Sequence, residues 1–154
     1  MLSEKIIQIF QQAGVRMTPQ RQAVCAYVLE TDEHPTAAQI HRHLSPLFPS
    51  LSLATVYNTL ELLVNKGIVN EIGHAGDNQV HYDGEKKPHV NLACVSCHTV
   101  VDVYPQSAQT LHNEVIQMTG YNMLGSRFIY YGLCNKCQAT LSKSTKSNTA
   151  NEKL

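Results

Sequence analysis

The sequence predicts an α+β chain in two unlike parts: an N-terminal winged helix-turn-helix over residues 1–82 and a small C-terminal α/β unit over 90–141, joined by a hinge at 83–89 and followed by a tail at 142–154. Three observations carry this reading. Apolar residues recur at helical spacing in successive segments up to residue 64 and then switch to strand-like alternation. The composition turns polar and turn-rich at Asp83-Gly-Glu-Lys-Lys-Pro88. Two Cys-x-x-Cys pairs fall in the second part alone.

Taken in order, Leu2, Ile6, Ile9 and Phe10 give a short first helix that stops before Gly14. Thr18-Pro19, an N-cap hydroxyl followed by a proline at the first helical position, opens a second helix that carries Val24, Tyr27 and Val28 toward a core. Cys25, on the apolar side of that helix, reads as a small core residue. Thr36-Ala-Ala-Gln39 has the capping-box pattern, Ile40 and Leu44 continue a third stripe, and Pro46 and Pro49 break it. Ser52 caps a fourth helix. There Leu53, Val56, Leu60, Leu63 and Val64 share one face, while Ala54, Thr55, Tyr57 and Asn58 point elsewhere until Gly67 ends the helix. Residues 68–72 and 79–82 alternate as two strands joined by a turn through Gly73 and Gly76. Beyond the hinge, residues 90–93 and 99–103 read as strands flanking a cysteine-containing turn. Leu111, Val115 and Met118 mark a helix, and Phe128-Ile-Tyr-Tyr131 marks a last strand. Residues 142–154, rich in Ser, Thr, Asn and Lys, read as a frayed tail without function.

On an ordinary helix Thr55 and Tyr57 would be solvent-facing residues and nothing more. In a helix-turn-helix the same positions reach base edges or phosphates, and Arg16 and Arg21, at helix entries, can grip the DNA backbone.

Charge bounds the partners. Twelve Lys and Arg balance twelve Asp and Glu, with residues 1–81 at −2 and the remainder at +2, so no overall basic excess attracts phosphate. A polyanion must therefore be met by local contacts. With 43% apolar residues the chain can bury a core. It shows no export signal and no apolar run near the ~20 residues needed to cross a bilayer. The expected compartment is the reducing cytoplasm, where five cysteines point to metal or redox chemistry instead of a disulfide framework.

Cys94-Val-Ser-Cys97 and Cys134-Asn-Lys-Cys137 are the strongest signal. Two residues between thiolates let one tight turn present both sulfurs to one ion, and two such turns supply the tetrahedral sulfur set of a structural zinc site. Binding there contributes folding free energy that so small a unit needs. Two rival readings exist. Cys94-x-x-Cys97-His98 also fits the haem-attachment pattern, but nothing here directs export. A thioredoxin-like dithiol needs one pair at a helix N-terminus, whereas both pairs are expected at strand-associated turns. Around the hinge lie further ligand types: His34, His81, Asp83, His89 and Asp102. Each alone reads as a surface or capping residue, but gathered by the fold the mixed set suits Fe(II), Mn(II) or Zn(II).

Arg16-Met-Thr-Pro-Gln-Arg21, His34-Pro-Thr-Ala, Ser52-Leu-Ala-Thr-Val-Tyr-Asn58, His89 ahead of the first cysteine pair, Val101-Asp102 and Tyr131-Gly-x-Cys-x-x-Cys137 resemble the ferric uptake regulator (Fur) family, in consistent order from about residue 3 to 140. The resemblance implies a homodimeric, metal-dependent transcriptional regulator and no enzyme. It would have an N-terminal winged helix on a palindromic double-stranded operator and a C-terminal dimerisation domain holding the four-cysteine Zn(II). Ser52, Ala54, Thr55, Tyr57 and Asn58 would then face DNA, with Arg16 and Arg21 beside them. Within the family the spacing is most like the peroxide-sensing PerR branch. Its regulatory Fe(II) or Mn(II) site matches His34, Asp83, His89 and Asp102, while Asn91 stands where the fifth ligand, a histidine, is usual. Iron sensors usually have a glutamate in place of Asp83, and Gly125-Ser126 stand where their extra site has a histidine. Asn91 is a neutral, weaker donor, so the site is expected to bind less tightly, or to recruit water or His81. The implied function is a repressor that releases its operator when peroxide oxidises a metal-bound histidine, His34 or His89. The alternative is an iron- or zinc-responsive repressor without that oxidation. A structural zinc protein that binds no DNA is a further rival, and nothing resembling a nucleophile–base pattern supports an enzyme.

Overall fold

The computed structural model describes residues 4–148. The Leu2 end of the first expected helix and residues 149–154 of the expected tail lie outside them. Four helices come first: α1 (Glu4–Gln12), α2 (Pro19–Glu30), α3 (Ala37–Leu44) and α4 (Leu53–Asn65). Their starts are chemically fixed. The Thr18 hydroxyl accepts from the Arg21 N–H, Thr36 and Gln39 close a reciprocal capping box, and the Ser52 hydroxyl accepts from the Thr55 N–H. Phe10, Val24, Cys25, Val28, Ile40, Val56, Leu60 and Leu63 pack into one core with almost no exposure. Leu53 departs from the expected face: at the first helical position it overhangs the core and is exposed, while buried Thr59 occupies the stripe by returning its hydroxyl to the Thr55 carbonyl.

A hairpin follows, β1 (Asn70–His74) against β2 (Val80–Asp83). Gly73 belongs to β1, where the register slips between Glu71 and Gly73, and the turn is formed by the residues around Gly76 and Asn78, both with positive φ. The C-terminal unit is a three-stranded sheet ordered β4-β3-β5, from β3 (Val90–Cys94), β4 (Val100–Val103) and β5 (Ile129–Gly132). β3 pairs antiparallel with β4 and parallel with β5, so α5 (Gln106–Thr119) lies in the crossover. Asp83, expected in the hinge, ends β2. α6 (Asn135–Asn148) continues through much of the segment expected to fray from residue 142, because no Gly or Pro interrupts it.

The two parts touch. Ile72 and Ala75 of the hairpin share a small apolar cluster with Ala93, Val100 and Ile129 of the C-terminal sheet. Burying Ile72 alone stabilises that contact by about 2 kcal/mol. His98 Nδ1 donates to the Ala75 carbonyl at 2.9 Å, and Arg127 Nη1 donates to the Glu71 carbonyl at 2.7 Å. Elsewhere the C-terminal unit is thinly covered. Leu92, Val101, Tyr130, Leu111 and Met118 are exposed, and only Ala108 of α5 is buried. Among the described residues, no helix is long and apolar enough to cross a membrane.

Candidate metal centres and nucleic-acid interface

The cysteine pairs converge. The Sγ atoms of Cys94, Cys97, Cys134 and Cys137 all lie within 4.8 Å of one another, and Cys97 and Cys134 are 3.8 Å apart. A tetrahedron with Zn–S bonds of about 2.3 Å has sulfurs about 3.8 Å apart, which the Cys97–Cys134 edge already matches. The first pair sits in the turn between β3 and β4. The second does not occupy the expected strand-associated turn: Cys134 immediately precedes α6 and Cys137 lies in its first turn. That placement alone would suit a redox dithiol, but four converging sulfurs do not. Backbone N–H groups of Cys134, Cys97 and Ser96 pull the Cys94 thiol down to about 6, which favours the thiolate a metal requires. Cys25 is different: burial pushes its thiol up to about 12, leaving an inert core residue.

A second centre forms where β2, β3, β4 and the segment before α3 meet. His34 Nε2 lies 2.8 Å from Asp102 Oδ1, and His89 Nε2 lies 3.1 Å from Asp83 Oδ2 and 3.5 Å from Asp102 Oδ1. Donor atoms of His34, Asp83 and Asp102 fall within 4.8 Å of one another. Asp83 at the end of β2 and Asp102 in β4 are strand residues, His34 and His89 stand just before α3 and β3, and His34, Asp83 and His89 are all buried. His34 Nδ1, Asp83 Oδ2, Asp102 Oδ1 and Asn91 Oδ1 are buried without a hydrogen-bond partner. Such atoms are costly unless something satisfies them, and a divalent cation does so for nitrogen and carboxylate oxygen together. The residues present therefore fit a metal. His89 Nδ1 donates to the Lys87 carbonyl at 2.7 Å, which leaves Nε2 as the ring's donor toward the centre. The neighbouring Asp83 carboxylate pushes the His89 imidazolium up to about 9 against the opposing effect of burial.

Asn91 is 2% exposed and places Nδ2 3.1 Å from His89 Nε2, so it touches the centre through His89. His81 is not available as a substitute ligand. Its Nδ1 donates to the His34 carbonyl at 2.6 Å and its Nε2 faces Asp77 Oδ2 at 2.9 Å. Sequence reading missed two neighbours of the centre. Tyr104 donates to Glu85 Oε2 at 3.0 Å and approaches Asp102 Oδ2 at 3.5 Å, and Gly84 lies against α2. A tyrosine two residues after a candidate ligand on a strand was the available signal for the first.

The candidate DNA face is the outer side of α4. Ala54, Tyr57 and Asn58 are exposed there. Ser52 and Thr55 are engaged with each other, Oγ to Oγ1 2.9 Å, in the helix cap. Arg16 is exposed at the entry to α2. Arg21 is half-buried and spends Nη1 on the Arg16 carbonyl at 2.6 Å, which braces that loop.

Residues 12–131 match the Ferric uptake regulator family. The chain is 39% identical over 136 residues to the peroxide-responsive repressor PerR of Staphylococcus aureus, spanning 88% of this chain and 90% of that one. It is similar to the structure of GAS PerR in its Zn-Zn form, with 36% identity, TM-score 0.50 and coverage of 88% and 87%. It also overlays on the Helicobacter pylori ferric uptake regulator Fur, a structure described as revealing three functional metal binding sites. There the TM-score is 0.71, the identity 17% and the coverage 88% and 90%, a likeness of fold.

Proposed function

This chain belongs to the ferric uptake regulator family, and from that premise we propose that it is a metal-dependent transcriptional repressor of the peroxide-responsive type, and not an enzyme. α3 and α4 with the β1–β2 hairpin act as a winged helix-turn-helix. Tyr57, Asn58 and Ala54 on α4 meet base edges, Arg16 meets phosphate, and the capped N-terminus of α4 at Ser52 and Thr55 adds backbone N–H groups to the contact. The C-terminal unit holds Zn(II) at Cys94, Cys97, Cys134 and Cys137 and dimerises through the apolar surface left open on its sheet and α5. A homodimer on a palindromic operator follows from two such recognition helices.

One observation carries the regulatory reading: buried, unpartnered donors from the DNA-binding part (His34 and, at the end of β2, Asp83) meet donors from the C-terminal part (His89, Asp102). Fe(II) or Mn(II) held by these four would fix one part against the other and so set the spacing of two recognition helices across the dimer. Fe(II) held by these residues would supply the electrons that open the O–O bond of peroxide next to the ligand imidazoles, one oxygen going to a ring carbon and the other leaving as water. His34 and His89 are then the side chains placed to take up oxygen, and an oxidised ring no longer serves as the same ligand. Asn91 lies beside His89 with a neutral amide, which lowers affinity relative to an imidazole at that position.

A gel-shift on a palindromic operator with metal-free, Mn(II)- and Fe(II)-loaded protein tests this. Binding that is indifferent to metal overturns the regulatory reading. Mass spectrometry of the Fe(II) form after peroxide is expected to show one added oxygen on the peptide containing His34 or His89. Its absence at doses that release DNA returns the protein to a metal-responsive repressor without histidine oxidation.

A further inference from the structure

His81 lies in the middle of β2, 4% exposed, on the same side of the strand as Asp83. The strand runs against the segment that carries His34. Thr36 bridges to His81 in antiparallel fashion, and the Tyr82 N–H donates to the Pro35 carbonyl at 3.0 Å. The side chain adds a second tie. Its Nδ1 donates to the main-chain carbonyl of His34 at 2.6 Å, and its Nε2 faces Asp77 Oδ2 at 2.9 Å. Both ring nitrogens are thus directed at oxygens of the His34–Asp77 frame and neither is turned toward the metal centre. Asp77 is itself fixed in the hairpin turn, because its Oδ1 accepts from the Gln79 N–H at 3.2 Å.

We propose that His81, held by Asp77, is a positioning residue for the regulatory metal centre: it fixes the peptide of His34 and thereby the reach of that imidazole toward Asp102. The inference rests on the metal-regulated reading above and deepens it. An apolar ring of similar size at position 81 would fill the space but leave the His34 carbonyl without a donor in a buried setting, free to rotate toward water. Because His34 is the ligand that the DNA-binding part contributes from its helical region, slack in its backbone loosens the metal's hold on that part. Groups that orient a ligand without touching the metal typically matter by about 10- to 100-fold in affinity.

The test is a Co(II) titration of the full-length zinc-retaining protein, read by equilibrium binding and by the visible absorption of the bound ion. Wild type is compared with His81→Phe, His81→Asn, Asp77→Ala, Asp77→Asn and, as a marker of the centre, Asp83→Ala. His81→Phe and Asp77→Ala are expected to lose about 10- to 100-fold in affinity and to shift the Co(II) bands. His81→Asn keeps a donor for the His34 carbonyl, and Asp77→Asn keeps an acceptor for the ring, so both are expected to recover much of that loss. Asp77→Ala leaves His81 in place and reads the same contact where the phenylalanine variant fails to fold. Unchanged affinity and spectrum in His81→Phe and Asp77→Ala, with only a lowered melting temperature, overturn the role of His81. A wild type that binds no Co(II) beyond its zinc, or an Asp83→Ala variant that binds as well, overturns the metal-regulated reading along with it.

Discussion

At the scale of single residues, the regulatory centre is defined by what its side chains can and cannot donate. The His89 imidazolium is held up to about 9, above the ordinary 6.5, because the Asp83 carboxylate 3.1 Å from its ring favours the charged form. That proton stabilises the metal-free fold fully below about pH 6.5, and the contribution fades as pH rises through 9. A divalent ion must displace the same proton, so Mn(II) affinity is expected to rise with pH between 6.5 and 8.5, by at most about tenfold per unit. A flat profile in a binding titration would contradict the assignment of His89 as a ligand. Asn91→His is expected to strengthen Mn(II) binding by placing an imidazole beside His89 where a neutral amide now stands, measurable in the same titration. The four cysteines were legible from spacing alone, because the turn geometry a zinc site needs is local. His34, Asp83, His89 and Asp102 were legible as a set only through family resemblance, since their gathering depends on strand pairing that no short motif encodes. The engagement of His81 is not legible in the sequence, because its partners are a main-chain carbonyl far away in sequence and a turn carboxylate.

Among elements, caps and breakers made the helices readable, and a β-bulge hid the true hairpin turn. Two contacts at element boundaries bear on function. A Cβ on Gly84 would lie 2.7 Å from the Val28 carbonyl oxygen and 3.1 Å from Leu29 Cα, both backbone atoms of α2. Gly84→Ala is therefore expected to push the segment after β2 off α2 and carry Asp83 with it. The cost is about 1–3 kcal/mol in thermal or urea unfolding, with a weaker regulatory metal. His98, directly after the first cysteine pair, has φ +61°, unfavourable for a side chain with a Cβ, yet its ring holds the hairpin through Ala75. His98→Gly relieves the backbone strain and removes that tie. The expected result is a zinc turn no less stable than before, with faster amide exchange in residues 72–79.

For the molecule as a whole, neutral charge and a sum of −2 over residues 1–81, the part proposed to meet DNA, make long-range attraction to DNA weak. Binding depends on a few contacts held in register, and Asp83 and Asp102 add negative charge near the DNA-binding part until a cation offsets them. Tyr57→Ala is expected to weaken operator binding by about 1–3 kcal/mol in a gel-shift while leaving Mn(II) affinity unchanged. Removing zinc with a strong chelator is expected to unfold the C-terminal unit and abolish dimers in sedimentation, because so thinly covered a sheet has little else to hold it. The change in composition at residue 83 falls where β2 ends and the chain leaves the two-stranded sheet for the three-stranded one. The apolar contact between hairpin and C-terminal sheet is not legible in the sequence, since Ile72 and Ala75 read as ordinary members of an alternating strand. The order of the sheet has a consequence in time. β3 cannot gain its parallel neighbour until β5 has been made, and the zinc tetrahedron lacks corners until Cys137 has been made. On a translating ribosome the helical part folds first, and Cys94 and Cys97 wait as an open, reactive half-site. Synthesis under zinc limitation or thiol oxidation is therefore expected to lower the yield of folded chains, before any operator is met.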